Sequence, residues 1–156
     1  MSNVVRVQME NFDLNKEYNR LITKNSTCGA VVLFSGLVRD FIPPQQLVSL
    51  ELEHYPLMTE TMLENLSMQA SVRWELQRTT IIHRTGKLLP GDQIVLVGVS
   101  SAHRTDAFEA AQFIMDKLKT SAPFWKKETL KPNPDSKPES YWVSAKDSDE
   151  QLARRW

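Results

Sequence analysis

The chain has 156 residues, 41% of them hydrophobic and 24% charged, a composition that predicts one soluble domain, residues 1–156, with a core of its own. Nineteen Lys and Arg balance nineteen Asp and Glu, and a formal charge of zero argues against a broad nucleic-acid- or membrane-binding surface, so any basic site is local. The opening MSNVVRVQMENFDLNKEY lacks a basic segment followed by an apolar core, and no stretch approaches eighteen uninterrupted apolar residues; a cytoplasmic location is expected.

Val4 to Gln8 reads as a short strand, and Asp13 offers an N-cap to a helix carrying Tyr18, Leu21 and Ile22. Cys28-Gly29 turns the chain. This lone cysteine excludes an internal disulfide framework, fits a reducing compartment and reads as a small structural residue rather than a reactive thiol. Ala30 to Val38 is β-branched and apolar, a buried strand that ends at Arg39-Asp40 and a loop with Pro43-Pro44. Leu47 to His54 alternates, with Val48, Leu50, Leu52 and His54 on one face and Ser49, Glu51 and Glu53 on the other. Thr59 opens a helix to about Trp74, with Met62, Leu63, Leu66 and Ala70 as its apolar stripe.

Leu76 to Arg84 returns to strand character, and Pro90-Gly91-Asp92 turns into another buried strand, Gln93 to Ser100. A helix from Thr105-Asp106 to Lys119 carries Phe108, Ala111, Met115 and Leu118; acids at its start and Lys117 and Lys119 at its end suit the dipole. Pro123 stops it and Phe124 to Thr129 continues as a strand. KPNPDSKPES, with three prolines, predicts a flexible loop at about 131–140. Tyr141 to Val143 is a last strand, and Ser148 with Gln151 makes a capping-box pattern for a terminal helix.

Metal and mononucleotide sites are not signalled. His54, His83 and His103 have no paired ligand spacing, and His54 and His83 read as hydrogen-bonded core residues; the five glycines form no phosphate motif. His103-Arg104 stands where a strand gives way to a helix, and backbone amides, the dipole and the guanidinium fork all favour an anion there, although a surface Arg at a helix start reads equally well. Between Lys117 and Lys131 lie five lysines (117, 119, 126, 127 and 131) against Glu128, a local net of +4 in a neutral chain. Ammonium groups crowded beside Ser-Ala-Pro-Phe-Trp are suited to act as a base, a nucleophile or an anion clamp.

GAVVLFSGLVRD, LELEHYPLMTE, IIHRTGKLLPGD, VGVSSAHRTDAFEAAQFIMDKLKTSAPFWKKE and YWVSAKDSDEQLARRW together resemble the large, catalytic subunit family of molybdopterin synthase over nearly the whole chain. The resemblance implies an α+β fold of the α/β-hammerhead type with mixed and antiparallel sheets. It implies a homodimer with a small ubiquitin-like subunit at each outer end, making a heterotetramer. The activity implied is sulfur transfer from the thiocarboxylated Gly-Gly tail of that subunit to cyclic pyranopterin monophosphate, with no cofactor and no metal. By the same resemblance Lys119 engages the acyl group and Lys126 assists. Arg39, His103 and Arg104 hold the pterin and its phosphate, some of them serving the partner copy's lysines. Leu37, Val38, Lys127 and Glu128 complete the substrate contacts, and Phe34, Met115 and Pro123 to Trp125 shape the wall. Leu37 stands where relatives can carry lysine, and Lys146 where they can carry arginine.

Two other chemistries read from the same basic stretch. One is a non-catalytic module that captures a C-terminal carboxylate or a phosphorylated ligand, which binds without turnover. The other is a Schiff-base lyase using Lys119 or Lys126, which needs a carbonyl substrate and no sulfur donor.

Overall fold

The computed structural model describes residues 3–143, 151 and 153–156. The chain runs β1 (Asn3–Gln8), α1 (Leu14–Ile22), β2 (Ala30–Leu37), β3 (Gln46–His54), α2 (Met58–Arg73), β4 (Leu76–Arg84), β5 (Gly86–Leu88), β6 (Gln93–Ser101), α3 (Arg104–Ser121), β7 (Phe124–Lys131) and β8 (Glu139–Val143). One sheet has the order β1-β4-β6-β2, the other β5-β3-β7-β8. β1 and β4 are parallel; every other pairing among the described residues is antiparallel, so the fold is α+β with one mixed and one antiparallel sheet. Among the described residues no helix is long and apolar enough to cross a membrane.

Period-2 alternation splits the first sheet between two cores. Ile81, Val95, Val97 and Val99 face α2 and α3, where they pack on Leu63, Leu66, Ala110 and Ile114. Ile82 and Leu96 point the other way, with Phe12 and Leu33. α1 lies on that second side: Asp13 accepts hydrogen bonds from the amides of Asn15 (2.9 Å) and Lys16 (3.1 Å), as its capping role requires. Its buried Glu17 is bonded to Arg6. The second sheet has a smaller core of Leu47, Leu50, Leu52, Leu88 and Val38, and Phe124 packs against this core and the large one.

Several local expectations need correction. β2 pairs with β6 alone, so this strand lies at an edge rather than fully inside, and Phe34 and Leu37 are exposed. Along β3 the register shifts between Leu47 and Ser49, which buries Leu47, Ser49 and Leu50 together and turns Ser49 inward. α2 starts at Met58 after Leu57, whose φ is 69°, and its buried stripe is Thr59, Leu63, Leu66, Ser67 and Ala70, leaving Met62 at the surface. On α3 the buried face runs through Ala107, Ala110, Ala111, Ile114, Met115 and Leu118, while Phe108 is 64% exposed. Lys131 pairs with Gln46 and Ser140 with Thr129, so strand pairing trims the expected loop to residues 132–138. Ser148 and Lys146 lie outside the described residues.

Candidate active site

The basic stretch forms the crossing from α3 to β7. Lys119 is in the last turn of α3, exposed, and the Ala122 amide closes the helix on the Leu118 carbonyl (3.3 Å). Phe124 then bonds back to the Ala122 carbonyl (2.9 Å) and β7 begins. Thr59, fully buried, donates its hydroxyl to the Pro123 carbonyl (3.2 Å) and accepts from the Tyr55 amide (3.1 Å), so the start of α2 fixes the crossing. A polar side chain spent on a proline carbonyl holds the two lysines in a set relation, seven residues apart.

Alternation along β7 separates the neighbours Lys126 and Lys127. Phe124, Lys126 and Glu128 share the face of Leu50 and Leu52, their partners in β3 being His54, Leu52 and Leu50. Lys127 lies on the opposite face, 4.0 Å from Glu51 and with its ammonium 6.0 Å from the Trp142 ring centroid. The two lysines therefore cannot point into one pocket, and Lys127 meets Glu51 and Trp142 on its own face.

His83 lies beneath Phe124. Its ring is buried and stacked on Phe124 at 3.9 Å and 21°, and Nδ1 is 2.8 Å from the Arg84 carbonyl. Burial, offset in part by that hydrogen bond and reinforced by the charges of Lys126 and His54, lowers its pKa to about 4. His83 is a neutral core residue, as the sequence suggests, and Nδ1 carries the proton that Arg84 accepts. His54, half-buried, pairs with Glu60 at 3.3 Å.

A half-open cavity of about 300 Å³ lies between β2 and α3, with Val32, Phe34, Phe108, Ala111 and Met115 as apolar wall and Gln112, Asp116 and Lys119 as polar rim. Phe34 and Met115 are where the resemblance implies; Pro123 to Trp125 and Lys126 are not in its lining. Gln112 and Asp116 were not singled out in the sequence, because a helical stripe marks the core and they flank it, whereas Phe108, read there as part of the core stripe, is an exposed wall residue of this cavity.

Arg39 follows β2 at the end where Leu37 pairs with Gln93. α3 turns back from the far end of β6 and runs alongside β2, which brings its Lys119 end, not its start, toward Arg39. Arg39 is exposed, whereas Val38 is buried, its amide bonded to the Asp92 carbonyl (2.8 Å) and its carbonyl to the Gly91 amide (2.7 Å). Gly91 makes that turn with φ at 90°, a conformation that favours glycine. Val38 therefore anchors the strand end, with exposed Leu37 and Arg39 on either side of it.

His103 and Arg104 are elsewhere. His103 is the N-cap of α3, its amide bonded to Ser101 Oγ (3.2 Å), and both side chains are exposed. The site is packed closely: a Cβ on Gly29 would come within 2.3 Å of the Ala102 carbonyl oxygen, so only glycine fits opposite this junction. Fifteen residues separate Arg104 from Lys119, about 22 Å along the helix at 1.5 Å per residue. One chain cannot bring both ends of α3 onto one small anion.

Residues 7–121 match the MoaE protein family. The chain belongs to that family. It is 52% identical over 156 residues to the molybdopterin synthase catalytic subunit of Vibrio cholerae, covering 100% of this chain and 99% of that relative. Among solved structures, the molybdopterin cofactor biosynthesis protein E of Burkholderia multivorans superposes with a TM-score of 0.82 at 47% identity, covering 100% of this chain and 97% of the other. Molybdopterin synthase of Staphylococcus aureus gives 0.77 at 31% identity, over 88% and 95% of the two chains. This MoaE chain thus keeps the family fold across both sheets.

Proposed function

We propose that this chain is the catalytic subunit of a molybdopterin synthase, moving sulfur from the thiocarboxylated tail of a small ubiquitin-like subunit to cyclic pyranopterin monophosphate. The observation that carries the reading is the fixed crossing between Lys119 and Lys126 beside a cavity with Lys119 on its rim, in a chain 52% identical over its full length to a catalytic subunit. Both reactants are anionic, and ammonium groups set in place before they arrive stabilise charge at no cost in reorganisation.

In this reading the tail of the small subunit threads toward the crossing. Lys119 engages the acyl group and Lys126 assists by proton transfer or by its charge. Arg39, preceded by Leu37 and Val38, contributes at the same end, while His103 and Arg104 come from a second copy, since about 22 Å of helix separates Arg104 from Lys119 in one chain. The enzyme is accordingly a homodimer of this chain with two small subunits. Glu128 belongs on the Lys126 face; Lys127 shapes the field from the other side of the sheet. The whole chain acts as one domain, with residues 132–138 as its flexible loop, and the reaction needs no metal or dissociable cofactor. A cytoplasmic location accords with the single Cys28.

The test is direct. Mixed with thiocarboxylated small subunit and the cyclic pterin, the chain yields the dithiolene product, and yields none when the tail ends in an ordinary carboxylate. Tight binding of both reactants without product would instead favour the non-catalytic anion-binding module.

A further inference from the structure

Asp116 is an acid in the wrong place for an anion pocket. It lies one helical turn before Lys119, lines the same cavity, and is 5% exposed. Left to itself, a carboxylate there would repel an incoming anion and compete with it for the Lys119 ammonium. Its lone pairs are instead committed elsewhere. Oδ1 accepts from Gln112 Nε2 at 2.8 Å. Oδ2 accepts from Arg155 Nε at 3.2 Å and Nη2 at 3.0 Å, and from Trp156 Nε1 at 2.6 Å.

The segment that supplies these donors is anchored independently of Asp116. The Trp156 ring meets Trp74 edge-on at 5.6 Å and Phe113 at 5.8 Å, and Arg73 donates to the Trp156 carbonyl at 3.1 Å. Apolar packing thus delivers a guanidinium to the Asp116 carboxylate, itself part of the cavity wall. Stability alone is a weak reason for the arrangement, because buried ion pairs are often no better than apolar residues of equal volume.

We propose that Arg155 is a positioning residue of the Lys119 pocket: it balances the Asp116 carboxylate, so that the pocket retains an anionic substrate and Lys119 faces that substrate rather than Asp116. The inference rests on the reading of Lys119 given above. It assigns a role in substrate retention to a residue more than thirty positions beyond the lysine.

The experiment measures initial rates against cyclic pterin concentration, using the complex with thiocarboxylated small subunit. Arg155→Gln is expected to raise KM about tenfold, the scale of one uncompensated charge beside a half-open pocket, while kcat stays within about threefold. Adding Asp116→Asn to Arg155→Gln removes the unbalanced charge and returns KM to within about twofold of the parent. An unchanged KM in Arg155→Gln, or a double variant as impaired as the single, overturns the proposal. Arg155→Lys keeps the charge and loses the fork, which separates charge balance from tethering should Arg155→Gln melt early. A KM near the parent upholds the proposal and one as high as that of Arg155→Gln overturns it. Lys119→Ala, run alongside, tells the two readings apart. Normal turnover there overturns the reading of the pocket, whereas an inactive Lys119→Ala beside an unaffected Arg155→Gln overturns the Arg155 inference alone.

Discussion

α3 carries cations at both ends, and the two ends are finished differently. At the Lys119 end the chain closes on itself: the helix caps at Ala122, Thr59 holds Pro123, His83 underlies Phe124, and a cavity opens between α3 and β2. At the Arg104 end His103 and Arg104 stand exposed on a tightly packed junction, and neither lines the cavity between α3 and β2. The first end is a pocket built from one chain. The second, in the proposed function, supplies donors to a second copy. Proximity in sequence, as in Lys126 and Lys127, and membership of one helix, as in Arg104 and Lys119, are therefore poor guides to a shared site. Strand alternation separates the first pair and helix length the second.

The largest expected effect separates the two lysine faces. Lys119→Ala should lower single-turnover product formation by about a hundredfold to a thousandfold, roughly 3 to 4 kcal/mol, the usual value of one preorganised group at developing charge. Thermal melts should change little, since Lys119 is exposed and its truncation opens no core void. Lys126→Ala should also be impaired. Lys127→Ala should lose less than about 1 kcal/mol, because its pairing with Glu51 is a partly exposed one. Equal losses in Lys119→Ala and Lys127→Ala would reduce the pocket to a diffuse basic patch.

The next effect is on stability and belongs to the closed end alone. His83 titrates near 4 when folded against 6.5 when unfolded, so between those values the unfolded state binds more protons and stability falls as pH falls. The full loss, on the order of 3 kcal/mol, is reached below the folded pKa, and the contribution is intact above about pH 6.5. Denaturant titrations across this window should show the decline, and His83→Phe, which cannot take up the proton, should flatten it. An equally steep decline in His83→Phe would place the titrating group elsewhere.

Much of this comparison is legible in the residues themselves. β-branched runs and the Pro-Gly-Asp turn locate the strands, Asp13 starts α1 as its chemistry demands, and the lysine cluster marks the end of α3 where the cavity opens. What escapes is set by pairing rather than by pattern. Ser49 reads as outward because a bulge cannot be seen in an alternating run, and β2 reads as buried because edge position depends on which strand lies beside it. Phe108 reads as core because a flanking aromatic shifts a helical stripe by one position. Asp116 is silent in sequence, since its partners Arg155 and Trp156 lie about forty residues away.

The central claim is that Lys119 of one copy works with Arg104 of another, and complementation tests it most directly. Lys119→Ala and Arg104→Ala chains are each inactive or weak as homodimers. Unfolded together, refolded and supplied with thiocarboxylated small subunit, they should recover about one quarter of the parental rate. Half of randomly mixed dimers are then heterodimers, and each of those has one site with both residues intact. A mixture that stays at the average of the two separate variants would contradict the account and return Arg104 to the lysines of its own chain.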